Sequence, residues 1–564
     1  MQSHVTPDPF RPLSLTIEYV DSAAGSYKTR TAIALACEEA QRGLKTIFAM
    51  PTLDLVAEMA QFARSRSNIP VFEITSTNRG SRSPIEQEIC RHVRTARDGH
   101  LLFITHEGFF RVVDWPPQTA VYELVIDEVP DVILTRRPFV LRYSYRVLTS
   151  FLTVRPLAAT AAERERKAEI PEFTAKEAEL LRKLEFFLVP GAASEGEKTQ
   201  AEAQVKRLRA KRDAWEAFQD VDADTSTDYQ VVAGPAHDPA KAELGLKRRV
   251  RDQPFDDVYK YLDPVPRWLM QQNYLFTNRQ AWDRMVDWQH DAHSWHQRGM
   301  VTITGFRRPD VLRSFARVTV MSALFRHTML YAVWQILGVR FTPSSRIDLH
   351  VATTPLGSRK LRICWLYDQG WSKLTRDRSG GIAKILELIK DADVIDLDTP
   401  VCVSLNKDDT SLEPPHLVSD IFPNAIVMPH NVRGQNRWRQ YHQLVHCAAL
   451  NAYTADIKWI EAALGIDAAE QRIARTGQEI YQTLMRLSLR EPSSQNDVGI
   501  IVMDRDVAEW LAQWFEPRSQ VEVIEIDSSE VIRRKGRTGR PPIGRRAMSN
   551  AERQRRFRLR HSNE

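Results

Sequence analysis

Apolar residues follow two rhythms along this chain. Between 14 and 150, short apolar runs alternate with stretches whose apolar positions recur at helical spacing. The runs are Thr16–Val20, Thr46–Met50, Val71–Ile74, Leu101–Ile104 and Leu124–Ile126; helical patterns such as Leu53–Arg64 and Pro84–Thr95 lie between them. Apolar strands separated by amphipathic helices predict a parallel sheet covered on both faces. The same style returns at 300–325 and again from about 345 to 515. There the strand candidates are Leu361–Leu366, Val394–Leu397, Val401–Ser404, Ala425–Met428, Gln443–Cys447 and Gly499–Met503, with helices such as Gly381–Lys390 and Gln471–Leu487.

Residues 155 to 300 break the rhythm. Ala158–Leu188 and Glu202–Phe218 carry charges of alternating sign, which predicts a helical hairpin or short coiled coil exposed on most faces. Trp268, Trp282, Trp288 and Trp295 read either as the core of an inserted helical domain or as a platform for unpaired bases. His290, His293 and His296 share one helical spacing, a weak pattern for a metal. The expected organisation is α/β with two tandem parallel-sheet lobes. Residues 1–154 begin the first lobe, 155–300 form a mainly helical insertion, 301–340 complete the first lobe, 341–515 form the second, and 516–564 form a basic tail.

Composition narrows the class. The chain has 564 residues, 43% hydrophobic and 27% charged, which suits a globular protein of several domains. No apolar run approaches the roughly 20 residues of a membrane span. The first residues, MQSHVTPDPFRP, lack a basic start and an apolar core, so no signal peptide is expected. Five cysteines lie too far apart for a zinc site or a disulfide framework, so a reducing cytoplasm is expected. Net charge is +6, and it is uneven: Arg533–Arg560 holds twelve Lys/Arg against Glu552 alone, so the remainder is slightly acidic. Arg537 and Arg540 stand among Gly and Pro, and Arg545 and Arg546 follow. So dense a basic arm calls for a polyanion, and these four arginines are candidate nucleic-acid contacts, the alternative being a passive solubilising tail.

Two strand ends carry chemistry. After Leu15–Val20 come Ser22, Ala23, Ala24, Gly25, Ser26, Tyr27, Lys28 and Thr29, and a helical pattern starts at once. Strand, small-residue loop, Lys-Thr and helix is the layout of a phosphate-binding loop. Lys28 would reach the β and γ oxygens of ATP and Thr29 the Mg²⁺, although Ser22 and Tyr27 replace the two signature glycines. Leu124–Ile126 leads into Asp127 and Glu128. Asp127 would hold Mg²⁺ and Glu128 would orient or deprotonate water. The plain alternative for each is an ordinary strand end with polar residues in solvent.

Taken in order, seven stretches resemble the motifs of superfamily 2 helicases of the DEAD/DEAH-like group. They are SAAGSYKT (22–29), AMPTLDLVAEMAQ (49–61), LLFITHEGF (101–109), VIDEVP (125–130), VTVMSALF (318–325), VRGQNRWRQYHQLV (432–445) and IYQTLMRLSLRE (480–491). The resemblance covers about two-thirds of the chain and implies two RecA-like lobes with nucleotide between them. It implies backbone contacts to nucleic acid from Pro51, Thr52, Thr105, Arg433 and Asn436, and a cleft-facing trio of Gln482, Arg486 and Arg490. Spaced by four, that trio would share one helical face, and the arginines would meet the γ-phosphate. The tail resembles those of phage and plasmid DNA-associated proteins. The expected activity is an ATP-dependent helicase or translocase on nucleic acid, DNA before RNA, with a protein partner at the 155–300 insertion. The alternative is a catalytically weakened DNA-binding scaffold.

Overall fold

The computed structural model describes residues 15–77, 83–137, 139–141, 152–156, 174–187, most of 201–211, 228–233, 264–271, 273–287, 298–347, 359–368, 370–406, 416–429, 437–491, 493–517 and 519–532. Strands β1 (Leu15–Asp21), β2 (Lys45–Met50), β3 (Val71–Glu73), β4 (His100–Thr105) and β5 (Tyr122–Asp127) begin the first sheet. The chain then leaves it. Strands β6 (Ile133–Arg136), β8 (Leu152–Pro156), β9 (Asp228–Ala233), β10 (Tyr274–Asn278) and β12 (Ile303–Phe306) form an antiparallel sheet of order β6-β12-β10-β9-β8, while β7 (Phe139–Leu141) pairs with β11 (Arg298–Met300). Strands β13 (Arg317–Ser322) and β14 (Val339–Pro343) return to complete a seven-stranded sheet, β14-β1-β13-β5-β2-β4-β3, every pair parallel.

The second sheet has six parallel strands, β15 (Lys360–Tyr367), β16 (Val401–Leu405), β17 (Ala425–Pro429), β18 (Gln443–His446), β19 (Val498–Asp504) and β20 (Gln520–Glu525), in the order β17-β16-β18-β19-β15-β20. Both sheets are buried on two faces, which is why their strands read as unbroken apolar runs rather than alternations. The architecture is α/β, with two RecA-like parallel-sheet lobes. Among the described residues, no helix is long and apolar enough to cross a membrane. All five cysteines are free thiols.

The described residues between 155 and 300 are mostly helical, and they also carry β9 and β10, which join β6, β8 and β12 in an antiparallel sheet whose Tyr274, Phe276 and Phe306 enter the first-lobe core. The hairpin exists beside it, with helix Ala175–Phe187 joined to 201–211 by Arg209–Glu185 and Lys211–Glu177 ion pairs of 2.7 and 2.6 Å. Trp268 and Trp282 are buried core residues; Trp288, Trp295 and the three histidines lie outside the described residues. Val394–Leu397 is a turn and not a strand, because the Asp396 carboxylate accepts the Asp398 N–H at 3.0 Å and closes the backbone on itself. The second sheet also runs past 515, through β20.

One segment crosses between the lobes. Helix Thr454–Leu464 follows β18 in the chain, yet Ile460, Leu464 and Ile466 are buried in the same cluster as Phe276 and Trp334 of the first lobe and its insertion. Trp459 stands 5.3 Å from Phe276, ring to ring. Arg137 pairs with the buried Asp456 and lies over the Tyr453 ring at 3.7 Å.

Candidate nucleotide site between the two sheets

The carboxyl ends of β1, β5 and β13 meet at one edge of the first sheet. Register places Asp21 beside Ser322, and Asp127 beside Met321. Ligands in open parallel sheets bind outside such ends. The loop after β1 turns by way of Gly25 (φ +89°) and Tyr27 (φ +60°) and feeds the thirteen-residue helix Lys28–Ala40. Left-handed residues in a short loop turn successive N–H groups toward a common concavity, which suits an anion at a helix N-terminus. Tyr27 thus takes the backbone conformation that glycine takes more easily. Its side chain is 61% exposed, outside the loop rather than filling it.

The key contacts follow directly. The Thr29 hydroxyl donates to the Asp127 carboxylate, 3.0 and 2.9 Å from its two oxygens. Asp127 is almost wholly buried, and burial, aided by Glu128, pushes its pKa up to about 6 against the pull of Lys28 and Thr29. Burial holds the Lys28 ammonium below its ordinary value, while Asp127 and Glu128 oppose that shift. Glu128 is itself at φ +61°, its N–H donating to the Met321 carbonyl at 2.8 Å. Hydroxyl and carboxylate oxygens side by side are the donors a hard divalent cation takes, so the residues present fit Mg²⁺. A buried Lys28 at the head of a helix fits the phosphates of ATP.

The second sheet supplies the opposite wall. Arg486 Nη2 lies 3.7 Å from Glu128 Oε1. The Arg490 guanidinium is 6.0 Å from the Tyr27 ring centre, and its side chain fills the space that Gly25 leaves: a Cβ there would stand 2.4 Å from Arg490 Nε. Burial, then Arg486, lowers the pKa of Arg490. Gln482 is buried and lines a cavity of about 210 Å³ together with Glu128, Ser322, Arg475 and Gln478.

The shared helical face does not form. Helix Gln478–Leu484 ends before Arg486, and Ser488–Arg490 is a single 3-10 turn. Leu487, Ser488 and Leu489 are all buried, so the segment has no polar face for a continued helix to present. The three side chains still converge on the cleft by way of a bend. Ser22 and Ser26 join hydroxyls at 2.7 Å, and Ala23 accepts the Ser26 N–H at 3.2 Å. The Ala24 N–H donates to the Tyr481 hydroxyl at 3.4 Å, a contact that sequence reasoning missed, as it did Gln478 donating to the Leu324 carbonyl at 2.9 Å. Nothing in their spacing announced these two residues.

Pro51, Thr52 and Thr105 lie at the ends of the adjoining strands β2 and β4. Both threonines cap helices: Thr52 Oγ1 accepts the Leu55 N–H at 3.2 Å and Thr105 Oγ1 the Gly108 N–H at 3.0 Å. Arg433, Asn436, Arg537, Arg540, Arg545 and Arg546 lie outside the described residues.

No protein-family model matches the chain, and no curated protein matches it. Solved structures do. The apo form of XPD aligns at 9% identity over 87% of this chain and 100% of that one, with TM-score 0.32. The helicase domain of Hef from Pyrococcus furiosus aligns at 12% identity over 88% and 95%, with TM-score 0.20. A nuclease-deletion mutant of the Type ISP restriction-modification enzyme LlaGI, in complex with a DNA substrate mimic, aligns at 9% identity over 73% and 42%, with TM-score 0.17. These are remote likenesses, and the description of two parallel-sheet lobes rests on the strand order itself.

Proposed function

We propose that the chain is an ATP-dependent helicase or translocase that acts on nucleic acid, DNA in preference to RNA, and hydrolyses ATP between its two lobes. The observation that carries the reading is the pairing of Thr29 with Asp127 on one wall and the approach of Arg486 to Glu128 from the other. In this reading the loop Ser22–Thr29 binds the phosphates, with Lys28 countering their charge. Thr29 and Asp127 hold Mg²⁺, which when bound screens the phosphate oxygens. Glu128 orients the attacking water, and Arg486 and Arg490 stabilise charge that develops at the γ-phosphate. Pro51, Thr52 and Thr105, with Arg433 and Asn436, follow the nucleic-acid backbone, and Arg537, Arg540, Arg545 and Arg546 hold DNA from the tail. The insertion docks a protein partner, as a cytoplasmic replication factor of phage or plasmid type would.

The test is hydrolysis of ATP with and without single-stranded DNA. Stimulated turnover that disappears in Glu128→Gln supports a motor. Salt-sensitive DNA binding with no turnover in the unaltered chain overturns it. That outcome favours a DNA-binding scaffold, for which Tyr27 at φ +60° in the loop is the specific argument.

A further inference from the structure

The turn that delivers Arg490 is short. Ser488–Arg490 is one 3-10 turn, and so few residues cannot fix a guanidinium unaided. Beneath it lies Arg359, only 5% exposed. Arg359 Nη1 donates to the Ser488 carbonyl at 3.1 Å and Nη2 to the Leu489 carbonyl at 3.3 Å. A rigid planar fork can hold two consecutive carbonyls at once, which a lysine ammonium on a flexible stem does not do.

The fork is anchored in turn. Arg359 immediately precedes β15, and the Ser519 hydroxyl, just before β20, donates to the Arg359 carbonyl at 2.9 Å. The other side of the turn is also tied down. The Ser488 N–H donates to the Tyr441 carbonyl at 3.0 Å, the Ser488 hydroxyl meets His442 Nδ1 at 2.6 Å, and Asn496 meets His442 Nε2 at 2.6 Å. Arg490 projects from this platform into the space that Gly25 leaves open. A displacement of about 1 Å at a reacting geometry can cost about 100-fold in rate.

We propose that Arg359 is a positioning residue for Arg490: by holding the Ser488 and Leu489 carbonyls it sets the depth to which Arg490 enters the phosphate loop. The inference rests on the reading of Ser22–Thr29 as that loop. Arg359 is remote from it in sequence and touches the turn rather than the nucleotide.

Two measurements on the full chain test it. The first is steady-state ATP hydrolysis by Arg359→Lys, Arg490→Gln and the double variant. The expected result for Arg359→Lys is a kcat lower by about 100-fold with KM for ATP within about twofold. The double variant then loses no more than Arg490→Gln alone. Unchanged kcat, a loss confined to KM, or independent and multiplying losses would overturn the proposal. The second measurement is amide hydrogen exchange, which needs no turnover. In the unaltered chain the amides of Ser488, Arg490 and Glu491 exchange as slowly as those of β15, and Arg359→Lys speeds them while β2 stays protected. Fast exchange at these amides in the unaltered chain overturns the clamp even if Arg359→Lys fails to fold. A chain that hydrolyses no ATP defeats the proposed function, and the exchange result then decides the role of Arg359 alone.

Discussion

Each lobe buries an aspartate at the carboxyl end of a parallel strand, Asp127 as the last residue of β5 and Asp504 as the last residue of β19. Burial raises both pKa values, to about 6 for Asp127 and about 7 for Asp504. Their partners differ. Asp127 faces the Thr29 hydroxyl, with Lys28, Glu128 and Arg486 among the charges that act on it. Asp504 accepts the backbone N–H of Trp371 at 2.5 Å, with Arg472 nearby. The same position in the same kind of sheet therefore becomes a charged site in one lobe and a structural tie in the other. What decides the outcome is the donor each aspartate meets, a loop hydroxyl beside a buried lysine at Asp127 and a backbone N–H at Asp504.

The sharpest way to break the comparison is Glu128→Gln. It keeps the shape and removes the proposed base, and turnover is expected to fall by about 10³-fold while DNA binding in a gel-shift titration stays within twofold. Next is Arg486→Ala, for which kcat measured at saturating ATP is expected to drop by about 10³-fold, the scale of a lost arginine that stabilises phosphoryl transfer.

Matched Asn substitutions then compare the lobes directly. Asp127→Asn is expected to remove Mg²⁺-dependent turnover, read as hydrolysis across a Mg²⁺ titration, whereas Asp504→Asn keeps it within about threefold. Asp504 should appear in stability instead. Its folded pKa lies above the ordinary carboxylate value, so the folded chain holds the proton more tightly. The stability it contributes is present below about pH 4 and is lost as pH rises through about 7. Each pH unit of displacement corresponds to about 1.4 kcal/mol. Denaturant midpoints of Asp504→Asn are therefore expected to fall less between pH 4 and 8 than those of the unaltered chain.

The smallest effect is expected at Tyr27→Gly. Glycine relieves a left-handed backbone worth about 1 kcal/mol and returns a similar entropy to the unfolded chain. Melting temperature should barely move, and turnover should change less than about threefold. A large gain would mark Tyr27 as a brake on phosphate binding.

The first lobe was legible because its chemistry is local. Lys28, Thr29, Asp127 and Glu128 lie within a few residues of the strands that carry them, and unbroken apolar runs announce those strands. The second wall was only half legible. Four-residue spacing placed Gln482, Arg486 and Arg490 on a helix, and the burial of Leu487, Ser488 and Leu489 breaks that helix. Arg359 was silent, since its partners lie about 130 residues away and no local pattern marks a buried fork. The antiparallel strands of the insertion were hidden by its charged helices, whose alternating signs are the louder pattern.

The seating of helix Thr454–Leu464 bears on how the two sheets can move. Ile460, Leu464 and Ile466 form a peg from the second half of the chain seated in a socket of the first, with Trp459 against Phe276 at its rim. A wide clamshell swing would pull that peg into water. With the peg seated, the motion expected of the two sheets is a short slide or twist about it. A cut in the chain between β14 and β15 would leave a nicked molecule that stays in one piece.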